Sequence, residues 1–224
     1  MSRQTAAAGW CWMLFYLLAL PSLLYRLNEI LPQRLSDTAL NGLFYFINFV
    51  AASLIFGSFL RQSLRHALKR PRALVKAVIV GLGGYMLGTW AVTQVACLIV
   101  PDFSNANNDA IIRMGKNGWL LMTLGTVLFA PVAEECLFRG LLFRRIYPEN
   151  QTAAWVLSLL AFAAIHVTGY LGSVPALTLL LCFLQYLPAG AALAWAYTAA
   201  DTIWAPIALH CLINAWSAWL FLLP

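Results

Sequence analysis

An all-α, polytopic membrane bundle is the fold class this sequence predicts, with about seven crossings (six to eight) at roughly 20 apolar residues each. Three observations predict it. Hydrophobic residues make up 62% of the 224 and charged residues only 10%, whereas a soluble domain carries roughly 25% charged residues to face water. The apolar residues fall in stretches of about twenty, the length a helix needs to cross hydrocarbon. The net charge of +6 is not spread over a face. Arg61, Arg65, Lys69, Arg70, Arg72 and Lys76 share one loop, which serves membrane orientation and gives no sign of nucleic-acid binding. The same composition excludes intrinsic disorder, a collagen-like repeat and a small disulfide scaffold.

The apolar stretches run from Thr5 to Tyr25, Leu40 to Leu60, Ala73 to Val100, Trp119 to Phe143, Ala153 to Leu171, Val174 to Ala200 and Ile203 to Leu223. The first has a basic start at Arg3, but Pro21-Ser-Leu-Leu-Tyr25 offers no small-residue cleavage site. It therefore reads as an uncleaved span. The sixth contains Pro188 and Gly190, which can kink it or split it into two half-helices, so an eight-segment count stays open. Alternate loops place Arg3, the six cations of residues 61–76, Arg144 and Arg145 on one side, against Arg26, Arg34, Arg113 and Lys116 on the other. Nine against four sets the amino terminus in the cytoplasm. With no repeat and no linker, residues 1–224 read as a single integral membrane domain, expected in the plasma membrane. Cys11, Cys97, Cys136, Cys182 and Cys211 sit in separate apolar stretches without a C-x-x-C, and read as packing residues.

An ionisable side chain at mid-span costs several kcal/mol unless it faces protein or water. Glu134, Glu135, Arg139, His166 and His210 are the residues in that position. Adjacent helical residues point about 100° apart, so the two carboxylates cannot share a direction. Glu135 and Arg139 are spaced i, i+4 and can pair, which leaves Glu134 to face something else. A carboxylate left unpaired in low-dielectric surroundings holds its proton more tightly, the condition that suits a general base near neutral pH. Ser158, Phe162 and His166 recur every four residues along one helix face, and His210 and Asn214 do the same on another.

Three helices thus offer a carboxylate, two imidazoles and an amide. Amide hydrolysis needs a base to activate water, a donor for the leaving amine and donors for the oxyanion. Glu134 with His166 can hold and deprotonate the water, while His210 and Asn214 can donate to the oxyanion. No serine or cysteine has an evident base partner, and Cys136 lies about 200° round the helix from Glu134, so covalent catalysis is less supported. Two histidines and a glutamate also form a zinc-like ligand set. They lie on separate helices without an H-E-x-x-H pair, so no cofactor is expected and a divalent metal is kept as the alternative.

The same residues have structural readings. A membrane histidine can bond helix to helix, and a Glu–Arg pair can be a staple. A non-catalytic membrane immunity or interaction protein would use the polar core in that way, and a transporter would use Glu and His as a relay, though no inverted repeat is evident. A packing scaffold does not need costly charges, which puts the enzyme first.

Glu134-Glu135-x-x-x-Arg139 within E-E-x-x-F-R-G-x-L, then Phe162-x-x-x-His166, then His210-x-x-x-Asn214, resemble the three motifs of the CPBP family. This family, also called Abi, groups CAAX proteases with bacteriocin-processing enzymes. The Pro-Ile-x-x-His approach to the third motif also looks like the family, and the resemblance spans residues 119–217. It implies a glutamic-type intramembrane endopeptidase with its site open toward the cytoplasm, acting on a membrane-associated peptide or protein. It also implies Glu134 and His166 for water activation, His210 and Asn214 for the oxyanion, and Glu135, Arg139 and Phe162 in support. The first three stretches carry no motif, and their role is open.

Overall fold

The computed structural model describes residues 1–221, and every regular element among them is helical. Nine helices follow in order: α1 Arg3–Leu18, α2 Leu20–Glu29, α3 Asp37–Lys69, α4 Pro71–Ile99, α5 Ala106–Gly115, α6 Trp119–Ile146, α7 Gln151–Val167, α8 Ala176–Ala200 and α9 Trp204–Phe221. Local chemistry starts them. Ser2, Ser36, Asn105 and Asn150 each turn a side-chain oxygen onto backbone N–H groups of the first turn of α1, α3, α5 and α7. Pro71 opens α4, where its missing N–H removes no helical bond.

Five helices, α3, α4, α6, α7 extended to Tyr170, and α8, are long and apolar enough to cross a membrane. The pair α1 and α2, bent by 52°, is long and apolar enough only when taken together, as one broken span or a re-entrant loop, which makes five or six crossings. The seventh expected stretch is α9 as far as Phe221, and its remainder lies outside the described residues. The chain is a polytopic helical membrane bundle. The sixth stretch is one helix: α8 runs unbroken through Pro188. Gly88 of α4 faces that proline so closely that an added Cβ would lie 2.9 Å from the ring, so the ring has its room on the partner helix.

The helix α6 is the axis. Its most apolar window is 56% buried, against 17–33% for the other crossings. Phe56 and Phe59 of α3, Phe162 of α7, Leu193 of α8 and Leu209 of α9 pack with Leu137, Phe138 and Leu141 of α6. On the outside, Leu54, Leu87 and Leu98 are 71–85% exposed, an apolar surface that suits lipid.

Regular winding is interrupted in α6. Gly125–Phe129 and Cys136–Phe143 form widened π turns on either side of Ala130–Glu135. Pro131 contributes, because it has no N–H to donate to the carbonyl one turn earlier. A Cβ at Gly125 would collide with the Tyr45 ring, so the glycine lets α3 come up against the first widened turn. Such turns re-aim side chains and occur often at functional sites. The segment before α6, read from sequence as a plain loop, contains the short helix α5, which Thr38 ties to α3 by donating its hydroxyl to the Met114 carbonyl at 2.9 Å.

Candidate active site

Glu134 and Glu135 project from the short regular segment between the two π-wound turns, into different surroundings. Glu135 is wholly buried, and so is Arg139. Arg139 Nη1 donates to Glu135 Oε1 at 3.0 Å, the i, i+4 pair that the spacing predicts. Its Nη2 donates to the carbonyl of Gly190 on α8 at 3.0 Å, and its guanidinium lies 4.5 Å from the centre of the Phe162 ring. A cation that would be costly in hydrocarbon is thereby compensated by an anion, a carbonyl and an aromatic face. Gly190 lies against Leu159 of α7, where an added Cβ would stand in van der Waals contact at 3.4 Å.

The same Glu135 oxygen has a second partner that the sequence did not disclose. His210 Nδ1, from α9, donates to Oε1 at 2.9 Å. A carboxylate at that nitrogen fixes it as the protonated one and turns Nε2 the other way. His166 is oriented by equivalent means. Its Nδ1 donates to the Phe162 carbonyl at 2.8 Å, and its ring stacks on Tyr186 of α8 with centroids 4.2 Å apart.

Both free Nε2 atoms converge on Glu134. The distances to Glu134 Oε2 are 3.9 Å from His166 and 4.0 Å from His210. Such gaps are too wide for direct hydrogen bonds and suit one bridging water. Glu134 Oε2 is a buried oxygen with no hydrogen-bond partner among the described residues. Asn214, one turn past His210, donates Nδ2 to the Thr126 carbonyl at 2.7 Å, in the first π-wound segment. That uses one of its two amide hydrogens.

Glu134, Phe162, His166, His210 and Asn214 all line one cavity of about 310 Å³. Arg139 and Glu135 stand behind it and do not line it. Neither do Cys136 and Ser158, both fully buried. Among the described residues, no three His, Cys, Asp or Glu side chains are placed to share a metal ion.

The opposite wall comes from the motif-free half of the chain. Tyr16 of α1, Tyr45 of α3 and Tyr85 of α4 line the cavity. In the sequence they pass for packing aromatics, and only their place on the cavity wall distinguishes them. The helix α5 roofs the space: Asn105 Nδ2 donates to Gln185 Oε1 at 2.7 Å, and Asn107 Nδ2 donates to the Tyr186 hydroxyl at 2.9 Å. No residue of the basic turn at 61–70 lines the cavity, which extends from mid-bundle toward the α5 end. The basic turn and the α5 end of the cavity lie at opposite ends of α3, which runs from its first turn, where Thr38 bonds to Met114 of α5, to Lys69 at the basic turn.

Residues 116–216 match the family described as type II CAAX prenyl endopeptidase Rce1-like. The matched stretch contains Glu134, His166, His210 and Asn214 and leaves out the wall contributed by α1, α3 and α4. No curated protein and no solved structure matches the chain.

Arg139→Met would leave Glu135 buried without its cation. It is expected to cost about 3 kcal/mol or more, which lowers the apparent Tm in detergent by at least about 6 °C at this chain length. Adding Glu135→Gln should recover a substantial part of that loss, because no unpaired charge is left. A single-variant cost below about 1 kcal/mol would show that the pair is not holding the helices together.

Proposed function

We propose, from the match of residues 116–216 to the Rce1-like CAAX prenyl endopeptidase family, that the chain is a glutamic-type intramembrane endopeptidase that hydrolyses a peptide bond with a Glu134-activated water. One observation carries the reading. Two imidazoles, each fixed at Nδ1, aim Nε2 at the buried, unpartnered Oε2 of Glu134 inside a cavity.

In this mechanism the water sits between Glu134 Oε2 and His166 Nε2. It gives a proton to Glu134 as its oxygen bonds to the scissile carbonyl carbon. The oxyanion accepts from the spare Asn214 amide hydrogen and from His210 Nε2. His210 donates there when its ring carries both protons, with Nδ1–H still held by Glu135. Glu134 then returns its proton to the leaving amine as the C–N bond breaks. Glu135, Arg139 and Phe162 touch no substrate in this scheme and hold His210 and the helices in place. The substrate is a membrane-associated peptide or protein, delivered from the bilayer, and the mechanism uses no cofactor.

The orientation follows from the loop charges. The basic turn between α3 and α4 faces the cytoplasm by the positive-inside rule, so the amino terminus does too. The α5 end of the cavity then lies toward the opposite side of the membrane.

Glu134→Gln and His166→Ala should each lower turnover by about 10²–10⁴-fold while insertion and thermal stability are kept. Full activity in Glu134→Gln removes the general-base assignment. Turnover should be unchanged in a strong chelator, and activity lost there and restored by zinc would replace direct deprotonation with metal-bound water. For orientation, Asn108→Cys should react with a membrane-impermeant maleimide added to intact cells. Labelling only after permeabilisation would reverse the assignment.

A further inference from the structure

Water activation in the reading above needs His166 Nε2 held in register with Glu134, because a misplacement of about 1 Å can cost on the order of 100-fold in rate. The bond from Nδ1 to the Phe162 carbonyl, one turn back on α7, leaves the ring free to swing about that single contact. Two aromatic faces confine it. The Phe162 ring lies 4.7 Å from the imidazole centre, and Tyr186 of α8 stacks on the imidazole at 4.2 Å with 24° between the planes. Phe162 is a core residue, 1% exposed, and is fixed by its packing. Tyr186 is only half-buried and stands on the cavity wall. Packing holds its ring less firmly, and its hydroxyl supplies the rest.

That hydroxyl is gripped by α5. Asn107 Nδ2 donates to it at 2.9 Å, while Asn107 Oδ1 accepts from the Tyr170 hydroxyl at 3.3 Å. Tyr170 closes the 3-10 turn that follows α7, four residues beyond His166. One amide thus clasps both the stacking partner of His166 and the turn that ends its helix. The Tyr186 hydroxyl has a single proton to give, and Asn108 Oδ1 at 3.3 Å and Asn105 Oδ1 at 3.4 Å stand ready for it. Asn105 is itself locked. Its Oδ1 accepts from the backbone N–H groups of Asn107 and Asn108, and its Nδ2 donates to Gln185, whose Nε2 donates to the Thr93 hydroxyl of α4 at 2.8 Å. The far end of α5 is secured separately, by Thr38 and Asn41 of α3 at Met114. The whole of α5 precedes the family-matched stretch, which begins at residue 116.

We propose that Asn107 and Tyr186 are positioning residues for water activation, resting on the endopeptidase reading above. Asn107, carried by the docked α5, holds the Tyr186 ring flat against His166, and the ring keeps Nε2 on the water shared with Glu134. Neither residue touches the reacting atoms. Turnover therefore depends on α5 being docked, through a clasp that lies mostly outside the three motifs.

The test uses the full chain reconstituted in lipid bilayers. Its probe is a synthetic peptide spanning a cleavage site that membrane proteomics finds with the active chain and not with Glu134→Gln. Tyr186→Phe, which keeps the ring and loses the hydroxyl, should lower kcat about tenfold and leave KM within about twofold. Asn107→Ala should lower kcat to a similar extent, and adding Tyr186→Phe to it should cost less than about twofold more, because the same bond is already gone. A second readout needs no turnover. Solid-state NMR of ring-labelled histidine should show the His166 ring less ordered in Asn107→Ala and in Tyr186→Leu, with His210 unmoved. A change confined to KM, losses that multiply in the double variant, or a His166 ring equally ordered in Asn107→Ala would each overturn the positioning role while leaving the protease reading intact. An absence of any Glu134-dependent cleavage would overturn the endopeptidase reading and the catalytic purpose of the clasp with it, and the histidine signals distinguish that result from a failure of the clasp itself.

Discussion

A guanidinium buried at the centre of the bundle organises the rest of this molecule. Arg139 bonds to Glu135 one turn back on α6, reaches the Gly190 carbonyl on α8 and lies over Phe162 of α7, while Glu135 passes the contact on to His210 of α9. Four helices meet through one cation because hydrocarbon offers no other way to compensate it. The arrangement is structural in origin, but its last link sets a functional property. The Glu135 oxygen that neutralises Arg139 also decides which nitrogen of His210 is turned to the cavity.

Two adjacent glutamates consequently have different surroundings. Glu135 commits Oε1 to both a cation and an imidazole, while Glu134 accepts no hydrogen bond from the described residues although its Oε2 is buried. Packing on α6 keeps them apart. Pro131 and the π-wound turns on either side shape the helix, and Gly125 admits Tyr45. Small residues at these crossings let backbones approach closely, as they do in membrane bundles generally.

Much of this was legible in the sequence, for reasons that can be named. The crossings follow from apolar runs of sufficient length, and the division of labour between Glu134 and Glu135 follows from the four-residue step to Arg139. What could not be read was anything that passes between helices. Spacing along α9 says that His210 and Asn214 share a face, but it says nothing of Glu135 on α6 waiting opposite. Tyr16 and Tyr45 are submerged in apolar runs whose periodicity is too weak to say which face points inward. The run Asn105-Ala-Asn107-Asn108 reads as a loop, yet it starts α5 and bonds to Gln185 and Tyr186. Pro188 would break a solitary helix, and α8 stays whole because Gly88 on α4 accommodates the ring.

The central claim is that a buried carboxylate fixes the His210 ring so that Nε2 faces Glu134. Nitrogen-15 solid-state NMR of ring-labelled histidine in lipid bilayers reads that property directly. The account predicts that His166 and His210 are both protonated at Nδ1, and that Glu135→Gln shifts the Nδ1 signal of His210 while leaving that of His166 unmoved. A neutral His210 protonated at Nε2, or one indifferent to Glu135→Gln, would contradict it.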